Sequence, residues 1–146
     1  MSFSVIVPCN CAKKGQIKRP PFWDKLTINH GELDLKIEFM DDRELEKEFD
    51  SWEFCEHGGI AVEFNIAQSI MGWKDRVQEN YPNQFPNFEK FIPQYNMYVS
   101  TEYDKQLTLI EIDKLDALEN YEHKYRFDQF RKLLMTAIEL DQEIYW

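Results

Sequence analysis

Three cysteines and one of the histidines are the residues of this chain whose types and spacing could do chemistry. Cys9-x-Cys11 and Cys55-x-His57 together offer three thiolates and an imidazole, a Cys3His set of the kind that holds structural zinc tetrahedrally. With every position filled by protein, no site stays open for an activated water, so the metal reading is structural and argues against a zinc hydrolase. Ligand pairs in such sites are more often separated by two residues than by one, and the spacing leaves other readings open. Reduced cysteine is among the most commonly buried residues, so three core thiols explain the same pattern. A nucleophilic Cys55 beside His57 would need a lowered thiol pKa and a third group orienting the imidazole, and the sequence marks neither. An odd number of cysteines cannot all pair, and the chain is read as cytosolic, so disulfides are not expected. His30, in a predicted turn, and His123, among acidic residues, read as solvated surface.

The elements that must position these groups follow from periodicity. Phe3, Val5, Val7, Cys9 and Cys11 alternate with other residues, predicting a strand with that set facing inward, and Pro8 marks an edge or an end. Residues 12–21 are basic and carry Gly15 and Pro20-Pro21, an exposed loop. Leu26 and Ile28, then Leu33, Leu35, Ile37 and Phe39 beyond Asn29-His30-Gly31, predict a hairpin. Leu45, Phe49 and Trp52 change the period to that of a helix, capped by Asp41 or Asp42 and ended by Gly58-Gly59. Within a helix, residues two apart point about 200° apart, so Cys55 and His57 converge only if the helix ends between them.

A second helix is predicted over 60–73 from Val62, Ile66, Ser69 or Ile70, and Trp73, and a short one within Tyr81–Pro93, its aromatics in the core. Residues 101–119 suit a strand nearly as well as a helix, with helix preferred from about Thr101. Over 121–141, Phe127, Phe130, Leu134, Ala137 and Ile138 oppose Arg126, Gln129, Arg131 and Lys132, an amphipathic core helix. The expectation is one α+β domain spanning residues 1–146, with N-terminal antiparallel strands or a hairpin packed against several C-terminal helices.

Composition bounds the function classes. The chain has 146 residues, 43% hydrophobic and 30% charged, enough for a real core. No run of 18 apolar residues exists, and Pro8 and two cysteines precede the first basic residue, the wrong order for a signal peptide. The glycines build no phosphate-binding loop, and G-x-S-x-G and H-E-x-x-H are absent. The net charge is −10, but Lys13, Lys14, Lys18, Arg19 and Lys25 face only Asp24 up to residue 25, a local +4 that leaves −14 for the rest. That sign repels a phosphate backbone and attracts a basic partner protein. Neither nucleic acid nor membrane is expected as a partner.

Cys9-x-Cys11, Lys14-Gly15, Pro20-Pro21-Phe22, Gly31-x-Leu33-Asp34-Leu35, Trp52, Cys55-Glu56-His57 and Phe85-Pro86 recur in this order in a family of small, largely uncharacterised bacterial proteins, which the chain resembles over residues 5–96. That family is similar to the immunity proteins that accompany polymorphic toxins. The resemblance implies a binding protein that blocks a cognate effector, and it carries no catalytic residue across. Where the family has Gly-Gly after an Asn, this chain has Asn96-Met97-Tyr98. The alternatives are a small enzyme working through Cys55 or His57, and a structural zinc-binding domain.

Overall fold

The structure, a computed structural model, describes residues 2–29, 32–56, 61–67, 70–92, 102–119 and 125–146. It is an α+β fold, with antiparallel strands near the N-terminus and helices dominating the C-terminal half. The chain divides into two compact units, one formed by Pro8–Val62 and the other by Met1–Val7 with Glu63–Trp146.

In the Pro8–Val62 unit, strands β2 (Leu26–Asn29) and β3 (Glu32–Leu35) pair antiparallel, with Leu26 opposite Leu35 and Ile28 opposite Leu33. Opposed residues share a face, and Leu26, Leu33 and Leu35 are buried on theirs. Ile28, expected inside, is 56% exposed, although Leu33 opposite it is buried. The predicted alternation also stops at Leu35. Ile37–Phe39 form a 3-10 turn instead, leaving Ile37 in solvent and Phe39 half-buried. Helix α1 (Arg43–Ser51) begins where Asp42 Oδ1 accepts from the Leu45 N–H at 3.1 Å, which decides between the two candidate caps Asp41 and Asp42. Leu45 joins Phe22, Leu26, Leu33, Leu35 and Phe54 in one core, with Phe49 and Trp52 packed at its margin.

The other unit opens with β1 (Ser2–Pro8), which pairs with β4 (Ala61–Ala67) in a two-stranded sheet. Ile6 also exchanges both backbone hydrogen bonds with Tyr145 at 2.8 Å, so the C-terminus lies along β1. The helix expected over 60–73 is therefore corrected: β4 occupies its first half, and α2 (Ile70–Asn80) starts only at Ile70. The stripe Val62, Ile66, Ile70, Trp73 fits a helix, but Val62, Phe64 and Ile66 also alternate around Glu63 and Asn65. Pairing with β1, distant in sequence, decides between the two periods.

Helices α3 (Pro86–Phe91), α4 (Lys105–Leu118) and α5 (Tyr125–Leu140) complete this unit, with α4 packing on both α3 and α5. The ambiguous 101–119 segment is helical from Lys105, where Asp104 Oδ1 accepts from the Leu107 N–H at 2.9 Å. Phe127, Phe130, Leu134 and Ala137 are buried as expected, and so is Arg126, which the sequence placed on the polar face. Arg126 donates to Gln129 Oε1 at 2.9 Å and stacks 4.6 Å from the Tyr125 ring, while its buried Nε has no hydrogen-bond partner among the described residues.

Helix α3 has six residues, too few to stand alone, and its N-cap position is Phe85, which offers no acceptor. The buried Glu111 of α4 supplies one: its carboxylate accepts from the Asn87 N–H at 3.0 Å and from the Phe88 N–H at 3.5 Å. Replacing Glu111 with Leu leaves those amides buried without an acceptor, and the expected loss is about 2 kcal/mol of unfolding free energy, read by denaturant titration. Glu111→Gln, which keeps an acceptor oxygen, should lose less.

Candidate metal centre

Strand β1 ends at Pro8, which has no N–H to continue a ladder, so Cys9 and Cys11 fall just past it in a turn. The turn is closed by Lys14 N–H to Asn10 O at 2.9 Å and Gln16 N–H to Cys11 O at 2.8 Å. Gly15 has φ of +69°, a left-handed conformation that costs other residues and glycine little. Both sulfurs thus turn inward: Cys9 is 2% exposed and Cys11 9%.

Cys55 arrives by a different route from the one expected. Helix α1 stops at Ser51, well before Gly58-Gly59, and Trp52 is extended (φ −81°, ψ 127°). Two hydrogen bonds to residue 18 draw the chain away from the helix axis, Trp52 Nε1–H to Lys18 O at 2.7 Å and Lys18 N–H to Phe54 O at 2.9 Å. Trp52 is further held by the Lys18 ammonium, 5.1 Å from its ring centroid, and Phe54 enters the core. The geometric objection to a ligand at 55, raised by a continuous helix, disappears with the helix. A trace of this was present in the sequence, since Trp52 and Phe54 flank Glu53 with a period of two.

The result is a cluster. The Sγ atoms of Cys9, Cys11 and Cys55 all lie within 4.8 Å of one another, close enough to bind a metal ion together. Cys9 Sγ and Cys55 Sγ are 3.9 Å apart. Tetrahedral thiolates at the usual zinc distance of ~2.3 Å from the ion stand ~3.8 Å apart, so this spacing suits a shared ion as well as an S–H···S contact and is far beyond a disulfide bond. The Cys11 backbone also hydrogen-bonds the Cys9 sulfur in the sense that favours its thiolate. Opposing this, burial pushes the Cys9 thiol up to about 12, and the neighbouring Cys55 and Cys11 sulfurs push the same way. Cys11 is raised too, first by burial. Three sulfurs this close repel one another as thiolates unless a cation lies between them.

No family model, curated protein or solved structure matches this chain.

His57, the fourth ligand suggested by sequence, lies outside the described residues, as do His30 and His123. Burial raises the Cys9 and Cys11 thiols, which makes those two weak nucleophiles near neutral pH. Among the described residues, no helix is long and apolar enough to cross a membrane.

Proposed function

We propose that this protein works by binding, as an immunity-like inhibitor that docks an acidic surface on a basic partner protein such as a toxin. The observation that carries the reading is α1 and its approach, where Asp41, Asp42, Glu44, Glu46, Glu48 and Asp50 are all exposed while Leu45 is buried. An amphipathic helix anchored by one apolar edge holds those six carboxylates on a fixed frame against the two exposed cations Arg43 and Lys47, and the excess negative charge steers a cationic partner. Lys18 and Arg19 lie over the Trp52 and Trp23 rings, with centroid distances of 5.1 and 4.9 Å.

Within this reading the thiol cluster is structural. Cys9, Cys11 and Cys55 hold a zinc ion, the fourth ligand being the one that the sequence assigns to His57, and the ion ties the turn after β1 to the segment after α1. That tie spans 46 positions of sequence in a unit whose apolar core is small.

The binding reading predicts a toxin-like gene beside this one, whose product forms a tight, salt-sensitive complex with the protein. The double variant Glu44→Lys with Glu48→Lys should slow association with that product about tenfold at low salt, by stopped-flow fluorescence, and should change dissociation much less. Co-expression that fails to protect cells from the neighbour, with no measurable complex, would remove the reading.

A further inference from the structure

We propose that the three-thiol cluster is also a site of reversible oxidation, in which a hydroperoxide oxidises Cys55 and Cys9 then closes on it as a disulfide. The inference rests on the thiol centre described above and adds the class of reagent that acts on it. Two observations assign the roles. Cys55 is half-buried whereas Cys9 and Cys11 are buried, so a small oxidant in solvent meets the Cys55 sulfur first. Cys9 Sγ stands 3.9 Å from it.

The steps balance without further reagents. The Cys55 sulfur attacks the outer oxygen of the hydroperoxide, the O–O bond breaks, and a sulfenic acid forms while the alcohol, or water in the case of hydrogen peroxide, leaves with the proton. The Cys9 sulfur then attacks the Cys55 sulfur, the S–O bond breaks, and hydroxide leaves with the Cys9 proton as water. Two thiols lose two electrons and the peroxide gains them, while Cys11 stays a thiol. The sulfurs must approach by roughly 1.9 Å to reach bonding distance. A metal tie between positions 9 and 55 is thereby exchanged for a covalent one. The disulfide leaves a single thiolate in the described set, so the metal is released.

Tag-free full-length protein treated with hydrogen peroxide, alkylated, digested and mapped by mass spectrometry tests this. The expected result is loss of two hydrogens, near-complete loss of alkylatable Cys9 and Cys55 with Cys11 still alkylatable, and reversal by dithiothreitol. Zinc release to a chromogenic chelator should rise in step with the cross-link. Cys9 and Cys11 share one tryptic peptide, so fragment ions between them assign the bond in the wild-type chain even if variants fold poorly. Cys11→Ser should retain the cross-link and Cys9→Ser should lose it. Oxidation that stops at a Cys55 sulfinic acid, a bond to Cys11 in place of Cys9, or thiols that all stay alkylatable would overturn the inference. A zinc-free protein that still forms the bond upholds it and removes the zinc reading. A zinc-loaded protein that does not form it does the reverse.

Discussion

Purified without an affinity tag, the protein should carry about one equivalent of zinc, and stripping it with a chelator should lower the melting temperature by about 10 °C. An ion present at about a thousand times its dissociation constant, bound only by the folded chain, adds ~4 kcal/mol of stability, and each kcal/mol moves the midpoint of a chain this size by ~2–4 °C. Cys11→Ser should reproduce most of the loss, far beyond the ~0.5 kcal/mol typical of a surface change.

The pH dependence carries a sign that separates the two readings of the cluster. Zinc binds thiolates, so protons compete with it, and the loaded protein should lose stability as pH falls. Without metal the trend is opposite. Burial raises the Cys9 thiol from 9.0 to about 12 in the folded chain, so above about pH 9 the unfolded chain releases a proton that the folded chain must keep. Stability from that source is complete below pH 9 and is lost as pH rises toward 12. Thermal melts across pH 5 to 11, with and without chelator, read both limbs. Less than a tenth of an equivalent of zinc, with melting indifferent to chelator, would leave the cysteines as core packing.

Replacing Phe91 with Ala should destabilise the helical unit by about 3–5 kcal/mol, and Phe91→Leu by well under half of that. Phe91 is 1% exposed and stands among rings, with centroids 5.4 Å from Tyr103, 5.7 Å from Phe130 and 5.2 Å from Trp146. All three contacts are edge-on, the arrangement the ring quadrupole favours, so truncation removes oriented contacts as well as area. Few side chains are large enough to refill the gap, and a cavity of ring size remains. A shift of the urea midpoint without a change of slope is the expected signature. A loss below about 1 kcal/mol would mean that Trp146 or Tyr103 collapses into the space.

Local pattern was enough wherever one element's own residues settled the matter. The hairpin was legible from Leu26, Leu33 and Leu35 around a turn sequence, α5 from its apolar stripe, and the start of α1 from Asp41-Asp42 ahead of Leu45, because period and caps are short-range properties. The grouping of Cys9-x-Cys11 with Cys55 was also readable, since metal chemistry restricts the residue types that would converge. Three things depended on distant chain. Residues 61–67 became a strand because β1 offers them a partner. Glu111 is buried because α3 lacks a cap of its own. Helix α1 ends at Ser51, freeing Cys55 to reach the other sulfurs, because Trp52 and Phe54 find backbone partners at Lys18. In each case a backbone or polar group takes its hydrogen bond from a residue many positions away, and only the folded chain brings that partner within ~3 Å.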